Sequence, residues 1–243
     1  MVRFFVAEKE MNNSFIVLTG ENANHAKVLR LKLGEQVLVC DGTGRECICT
    51  ISDITPSQVS LVVASEQTSQ AEPRVKASIY MAFPKADKLE HVIQKATELG
   101  ASEIIAFPSA RCVSRPDDKA LAKKTERWQK IAESAAQQSG RGLIPLVTVL
   151  KSFDEAIQRA LTADKAILFY ENESAFTLQA SLNEAPFSSI SLITGPEGGF
   201  EESEVQKAQS AGISVCTLGK RILRCETAPL CALSALMYHI GEF

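Results

Sequence analysis

Short β-rich runs fill the first 66 residues: SFIVLT (14–19), EQVLVC (35–40), ECICTI (46–51) and QVSLVV (58–63). DGTGR (Asp41–Arg45) has the composition of a hairpin turn between two of them. A helical insert, ENANHAKVLRL (21–31), places Ala26, Leu29 and Leu33 at helix-like spacing. The polar stretch SEQTSQAEPR (65–74) has no periodicity and contains Pro73, which marks a linker. Two domains are expected, 1–70 and 75–243. From residue 75 strands and helices alternate. VKASIYMAF (75–83), SEIIAF (102–107), LVTVL (146–150), KAILFY (165–170), SISLIT (189–194) and SVCTL (214–218) are strands. Helices between them carry apolar stripes, as with Leu89, Val92, Ile93, Ala96 and Leu99 before the stop at Gly100. A long helix over 117–139 points Leu121, Trp128, Ile131 and Ala135 inward, and Ser152 with Glu155 forms a capping box. The last helix starts at Pro229 and runs to about Ile240. This alternation predicts an α/β domain with a largely parallel sheet.

Composition narrows the classes. With 243 residues, 45% hydrophobic and 23% charged, the chain suits an ordinary globular protein. The apolar run Phe4–Ala7 is too short for a signal peptide, and no stretch is long and apolar enough for a membrane span. A cytoplasmic location is the expectation. Seven cysteines without a CxxC pair, and three distant histidines (His25, His91, His239), predict reduced thiols and no metal site. A net charge of −3 disfavours coating nucleic acid by bulk charge. Locally, however, Arg111, Arg115, Lys119, Lys123, Lys124, Arg127 and Lys130 stand against Asp117, Asp118 and Glu126. That face is either merely solvated or a contact for a polyanion.

Ligands of open α/β sheets bind beyond the carboxyl ends of the strands, so three loops carry the candidate chemistry. They follow ILFY (from Glu171), SLIT (195–200) and VCTL (219–227). GPEGGF (195–200) has the glycines of a phosphate turn but lacks the Lys-Ser/Thr of a P-loop. It carries Glu197 and is followed by Glu201, Glu202 and Glu204, which would repel phosphate. A cationic or neutral ligand fits better, and a plain tight turn with solvent-facing acids fits equally well.

GPEGGF followed by LGKRILRCETA (218–228) resembles the 16S ribosomal RNA (uracil-N3) methyltransferases of the SPOUT superfamily. HAKVLRLKLGE (25–35), KADKLEHVIQKATELGASEIIAF (85–107, with Lys85, Lys88, Lys95 and Glu98), SARCVS (109–114) and RWQKIAESAAQQSGRGLIP (127–145, with Gln138, Arg141 and Pro145) extend the likeness over nearly the whole chain. The resemblance implies a small PUA-like β-barrel that binds RNA, followed by a SPOUT-type α/β domain with a C-terminal trefoil knot. It implies S-adenosyl-L-methionine as cofactor, a homodimer, and 16S rRNA as substrate, within the small ribosomal subunit or a late precursor.

On that footing the cofactor residues are Tyr170, Glu171, Gly195, Glu197, Gly198, Gly199, Leu218, Gly219, Ile222 and Leu223. The main chain of 218–223 would read adenine, and Glu197 would tolerate a sulfonium. Arg224 is a candidate for stabilising charge on the uracil; the alternative is a salt bridge to Glu226. Glu226 is a candidate proton acceptor; alternatively it or Thr227 caps the last helix. Arg30, Lys85, Arg111, Arg127 and Arg141 are the candidate RNA contacts. The rivals are a methyltransferase for another base or a ribose 2′-hydroxyl, and a non-catalytic RNA-binding module.

Overall fold

The hydrophobic runs pair into two sheets, one in each of two units of a computed structural model that describes residues 1–12, 14–114 and 118–243. The first unit comprises Met1–Glu72 and Ala136–Ile144, the second Pro73–Ala135 and Pro145–Phe243.

In the first unit β1 (Val2–Phe5), β2 (Phe15–Thr19), β3 (Gln36–Cys40), β4 (Arg45–Ile54) and β5 (Gln58–Thr68) lie in the order β1-β3-β4-β5-β2. Only β1 and β3 run parallel; the other ladders are antiparallel. The Asp41–Arg45 turn joins β3 to β4 as the hairpin composition predicts. Ile16 and Leu18 of β2 are buried while Phe15 and Val17 face outward, the period-two signature of a sheet covered on one side. Cys47 and Cys49 are buried in the same core.

The sheet curls into a half-barrel of the expected PUA-like kind, with β1 and β2 as its end strands. Three details depart from the pattern. β1 itself, four residues long, is too short to read from sequence. β5 runs on to Thr68, into the stretch expected to be linker, because Ser65–Thr68 find partners on β4. Finally, α1 (Gly20–Val28) ends early. Leu29 is its C-cap and Arg30 adopts a left-handed φ of 55°, so Leu33 leaves the helix, and both leucines are exposed.

The segment Ala136–Ile144 belongs to this unit through contacts no local pattern carries. Ala136 packs with Phe5, Cys40 and Ile144, and the Ile144 N–H donates to the Gly42 carbonyl at 2.9 Å. The Glu72 carboxylate accepts from Arg141 Nη2 at 2.6 Å and from the N–H groups of Gly142 and Leu143 at 2.9 and 3.0 Å. Gly142 is required there, since a Cβ would stand 2.6 Å from the Ser69 Cβ. Next to it the Arg3 guanidinium pairs with Glu46, which is 2% exposed and also accepts from Gln67 Nε2 at 3.1 Å.

In the second unit six strands, all parallel, lie in the order β11-β9-β10-β6-β7-β8. The elements in chain order are β6 (Lys76–Ala82), α2 (Lys88–Glu98), β7 (Glu103–Phe107), α3 (Asp118–Ser139), β8 (Leu146–Val149), α4 (Phe153–Ala160) and β9 (Lys165–Phe169). Next come α5 (Leu178–Leu182), β10 (Ser189–Thr194), α6 (Glu202–Ser210), β11 (Ser214–Cys216) and α7 (Thr227–His239). Ile79, Ile104, Ile105, Leu168, Leu192 and Ile193 are fully buried, as central parallel strands covered on both faces demand. Each contributes roughly 1.5–3 kcal/mol. Trp128 lies in the core. Ser152 Oγ caps α4 by accepting from Glu155 N, but the Glu155 carboxylate turns to Lys151 N, so only half of the expected box forms. The short α5 has too few residues to carry an apolar periodicity of its own in the sequence, and α7 starts two residues before Pro229 because the Arg224 carbonyl already accepts from Thr227 and Ala228. Arg115 and Asp117 of the basic stretch, and the first residue of its expected helix, lie outside the described residues.

Burial raises the Glu46 pKa, but bonds from Arg3, Gln67 and Ser69 outweigh it and hold the carboxyl below its usual range. With the folded value below the unfolded one, this stabilisation is complete above the unfolded carboxylate range and is lost as pH falls through the folded value. Glu46→Ala leaves Arg3 without its carboxylate and is expected to cost about 3–5 kcal/mol, read as faster hydrogen exchange at the amides of β1, β3 and β4. Glu46→Gln should lose the acid dependence of that protection.

Candidate active site

Parallel pairing of β9, β10 and β11 brings the three loops that leave their carboxyl ends to one crevice of about 470 Å³. All ten residues expected to hold a cofactor line it: Tyr170 and Glu171 after β9; Gly195, Glu197, Gly198 and Gly199 after β10; Leu218, Gly219, Ile222 and Leu223 after β11. Arg224 lines it as well.

The GPEGGF turn is held by its last residue. Phe200, 1% exposed, stacks parallel to Phe107 with centroids 6.5 Å apart and leans on Phe153 at 5.6 Å. Gly199 closes the turn, its N–H donating to the Pro196 carbonyl at 3.0 Å. Its φ of 66° suits glycine, and a Cβ would run into the Glu171 carboxylate. On the outer side Arg111 Nη1 donates to the Gly198 carbonyl at 2.9 Å. The Glu204 carboxylate fastens the loop after β7 by accepting from Ala110 N at 2.9 Å and Ser109 Oγ at 3.3 Å.

Glu197 is not a bare anion. It accepts from the N–H of Lys85 at 3.0 Å and pairs with Lys88 Nζ at 3.1 Å. Burial pushes its pKa up, yet these partners hold it below the usual range. Lys88 therefore balances the charge of Glu197 within the turn. Lys88 Nζ also lies 3.1 Å from Glu226 Oε2, and the Cys225 thiol donates to the same oxygen at 3.2 Å. The Glu226 carboxyl is held down to about 2, first by its own backbone N–H, against some burial, and then by Cys225 and Lys88. Burial pushes the Cys225 thiol up to about 12. Glu226 occupies the N-cap position of α7, but its side chain makes no cap bond. A carboxylate so strongly held ionised is a poor proton acceptor. The alternative salt bridge from Arg224 to Glu226 is replaced by the one from Lys88.

Ile222 does not have the burial its sequence neighbours suggest; it is 86% exposed. The candidate RNA contacts separate. Lys85 and Arg111 border the turn through the bonds above. Arg127 is exposed on α3 and pairs with Glu90 at 2.6 Å. Arg30, exposed, and Arg141 belong to the first unit. Arg141 is 3% exposed and committed to Glu72, which gives it a role in holding the chain there rather than at a phosphate.

Lys88 and Phe200 were not recognised as site residues from sequence. Phe200 reads as one more apolar residue. Lys88 did leave a signal: it occupies the first turn of α2, where the helix dipole disfavours a cation unless a carboxylate answers it.

Residues 71–237 match the RNA methyltransferase domain family, and 18–64 match the RNA methyltransferase PUA domain. The ribosomal RNA small subunit methyltransferase E of Bacillus subtilis is 42% identical over 91% of this chain and 89% of its own length. The chain belongs to this RNA methyltransferase family. The Mesomycoplasma hyopneumoniae enzyme of the same name is 33% identical over 96% of this chain and 98% of its own. The Neisseria gonorrhoeae enzyme, solved bound to S-adenosyl methionine, superposes with a TM-score of 0.84 at 31% identity, covering 98% of both chains. Its bound ligand suits the chemistry of this crevice, which is lined by residues 218–223 and by Glu171, without the lysine and hydroxyl pair of a phosphate loop in the GPEGGF turn. Among the described residues no cluster of potential metal ligands is present.

Phe200→Ala is expected to destabilise the second unit by about 3–5 kcal/mol, measured by denaturant unfolding followed through Trp128 fluorescence, with the turn loosened in the folded protein.

Proposed function

We propose that the protein methylates small-subunit ribosomal RNA from S-adenosyl-L-methionine, at N3 of a uridine as its sequence resemblance implies. The crevice formed by the three strand-end loops carries this reading, because every residue assigned to the cofactor from sequence lines one cavity. When bound, the cofactor supplies an electrophilic methyl group. Glycines 195, 198 and 199 let the main chain approach it closely, and the peptide groups of 218–223 present donors and acceptors to an adenine edge. Phe200 and the Lys88 pairs hold these loops in place, so that orientation can lower the barrier. The uridine must lose its imide proton, leaving charge on the ring oxygens. Arg224 would stabilise that charge; its exposure and its place in the cavity lining support the role. Glu226 remains ionised and anchors the loop.

For the RNA, Lys85, Arg111 and Arg127 form cationic points on the second unit and Arg30 one on the first, suited to phosphate contacts. A knotted C-terminal crossing is part of the reading. Its support is the path of the chain, which leaves the edge strand β11 and returns to pack α7 against α2, β6 and β10. A homodimer is supported by the exposure of Cys231 and Tyr238 on the largely apolar α7. No described helix is long and apolar enough to cross a membrane, and an RNA substrate in the small ribosomal subunit or its late precursor argues for the cytoplasm.

Mass spectrometry of ribosomal RNA from cells lacking the protein should show one N3-methyluridine missing; its persistence, or loss of a different modification, overturns the assignment. Arg224→Ala should lower turnover by about 100-fold while calorimetric affinity for the cofactor stays within a few-fold. Arg30→Glu should weaken RNA binding with cofactor affinity unchanged, measured by filter binding.

A further inference from the structure

The Lys88 ammonium stands at the same distance, 3.1 Å, from the carboxylates of Glu197 and Glu226. One carboxylate belongs to the turn after β10, the other to the loop that enters α7, so a single side chain ties together two walls of the crevice. The backbone is arranged to hold it there. Lys88 opens α2, against the helix dipole, and the preceding Ala86 adopts a left-handed φ of 52°, rare for a residue with a Cβ. At the start of the same loop the Lys85 N–H also donates to Glu197. Strain and an unfavourable helix position tolerated in one short loop are the marks of a functional constraint.

Charge pairing gives the constraint its content. Arg224 and Glu226 are two residues apart and of opposite charge, so each is the other's nearest candidate partner in sequence. Lys88 takes the Glu226 carboxylate, and among the described residues the exposed Arg224 side chain makes no ion pair. We propose that Lys88 is a positioning residue for methyl transfer: by binding the Glu226 carboxylate it keeps Glu226 away from Arg224, leaving that guanidinium free for the substrate. Without Lys88 two carboxylates lose their shared ammonium, and Arg224, two residues from Glu226, is the cation nearest to it along its own loop. The inference rests on the methyltransferase reading above and assigns a residue that reading does not use for chemistry.

The test compares wild type, Lys88→Met and Lys88→Met/Glu226→Gln, with cofactor affinity from calorimetry and single-turnover methyl transfer to small ribosomal subunits at saturating cofactor. Lys88→Met is expected to slow transfer by 30-fold or more while cofactor affinity falls by less than tenfold. Adding Glu226→Gln is expected to restore at least a third of the wild-type rate, because a neutral amide does not sequester Arg224. A purely structural clamp predicts no such recovery. Transfer by Lys88→Met within threefold of wild type, or a double variant as slow as the single, overturns the assignment. Should Lys88→Met not fold by circular dichroism, Lys88→Gln is subject to the same criteria. Absence of turnover in the wild-type protein would instead overturn the functional reading, so the two failures are distinguishable.

Discussion

The parallel register of β9, β10 and β11 is the constraint on which the site depends. In a parallel sheet every strand delivers its following loop to the same edge, and here three neighbouring strands deliver 170–171, 195–200 and 218–225 to one crevice. The strands stay in register because Leu168, Leu192 and Ile193 are buried on a sheet that has no wet face. Loops rich in glycine and charge can then be held open at its edge without a core of their own.

What holds those loops is a small set of nonlocal contacts of two kinds. Phe200 pins the glycine turn by dispersion, seated against Phe107 and Phe153. Lys88 pins it by charge, with Glu226 as the second anchor. The acid inside the glycine turn thereby changes meaning. Glu197 would repel an anion if it stood alone, but with an ammonium at 3.1 Å it is a structural counter-ion. The Glu171 carboxylate stands beside Gly199 at the same turn.

The same logic governs the first unit. A segment that follows α3 in sequence is captured through Glu72, Arg141 and the flat surface of Gly142, and Arg3 with Glu46 supplies a second ion pair nearby. Arg141 illustrates the danger of assigning arginines by motif. Its motif position suggested RNA, whereas its guanidinium is buried on a carboxylate whose loss would leave it uncompensated.

Much of this was legible along the chain. Hydrophobic runs marked the main strands, the stripe on α2 and the parallel character of the second sheet, since burial on one or two faces leaves periodic traces in sequence. Strand spacing also marked the three crevice loops, because loop ends between strands are local features, while the family resemblance supplied the ten residues within them and the chemistry they serve. The partners of charged groups were decided only in three dimensions. Glu226 chose Lys88 over Arg224, nearer in sequence, Arg141 chose Glu72, residues 136–144 joined the unit built from residues 1–72, and Ile222 remained in solvent. An ion pair needs two groups within about 4 Å and no particular separation along the chain, so local pattern can place the charges while only the folded backbone can match them.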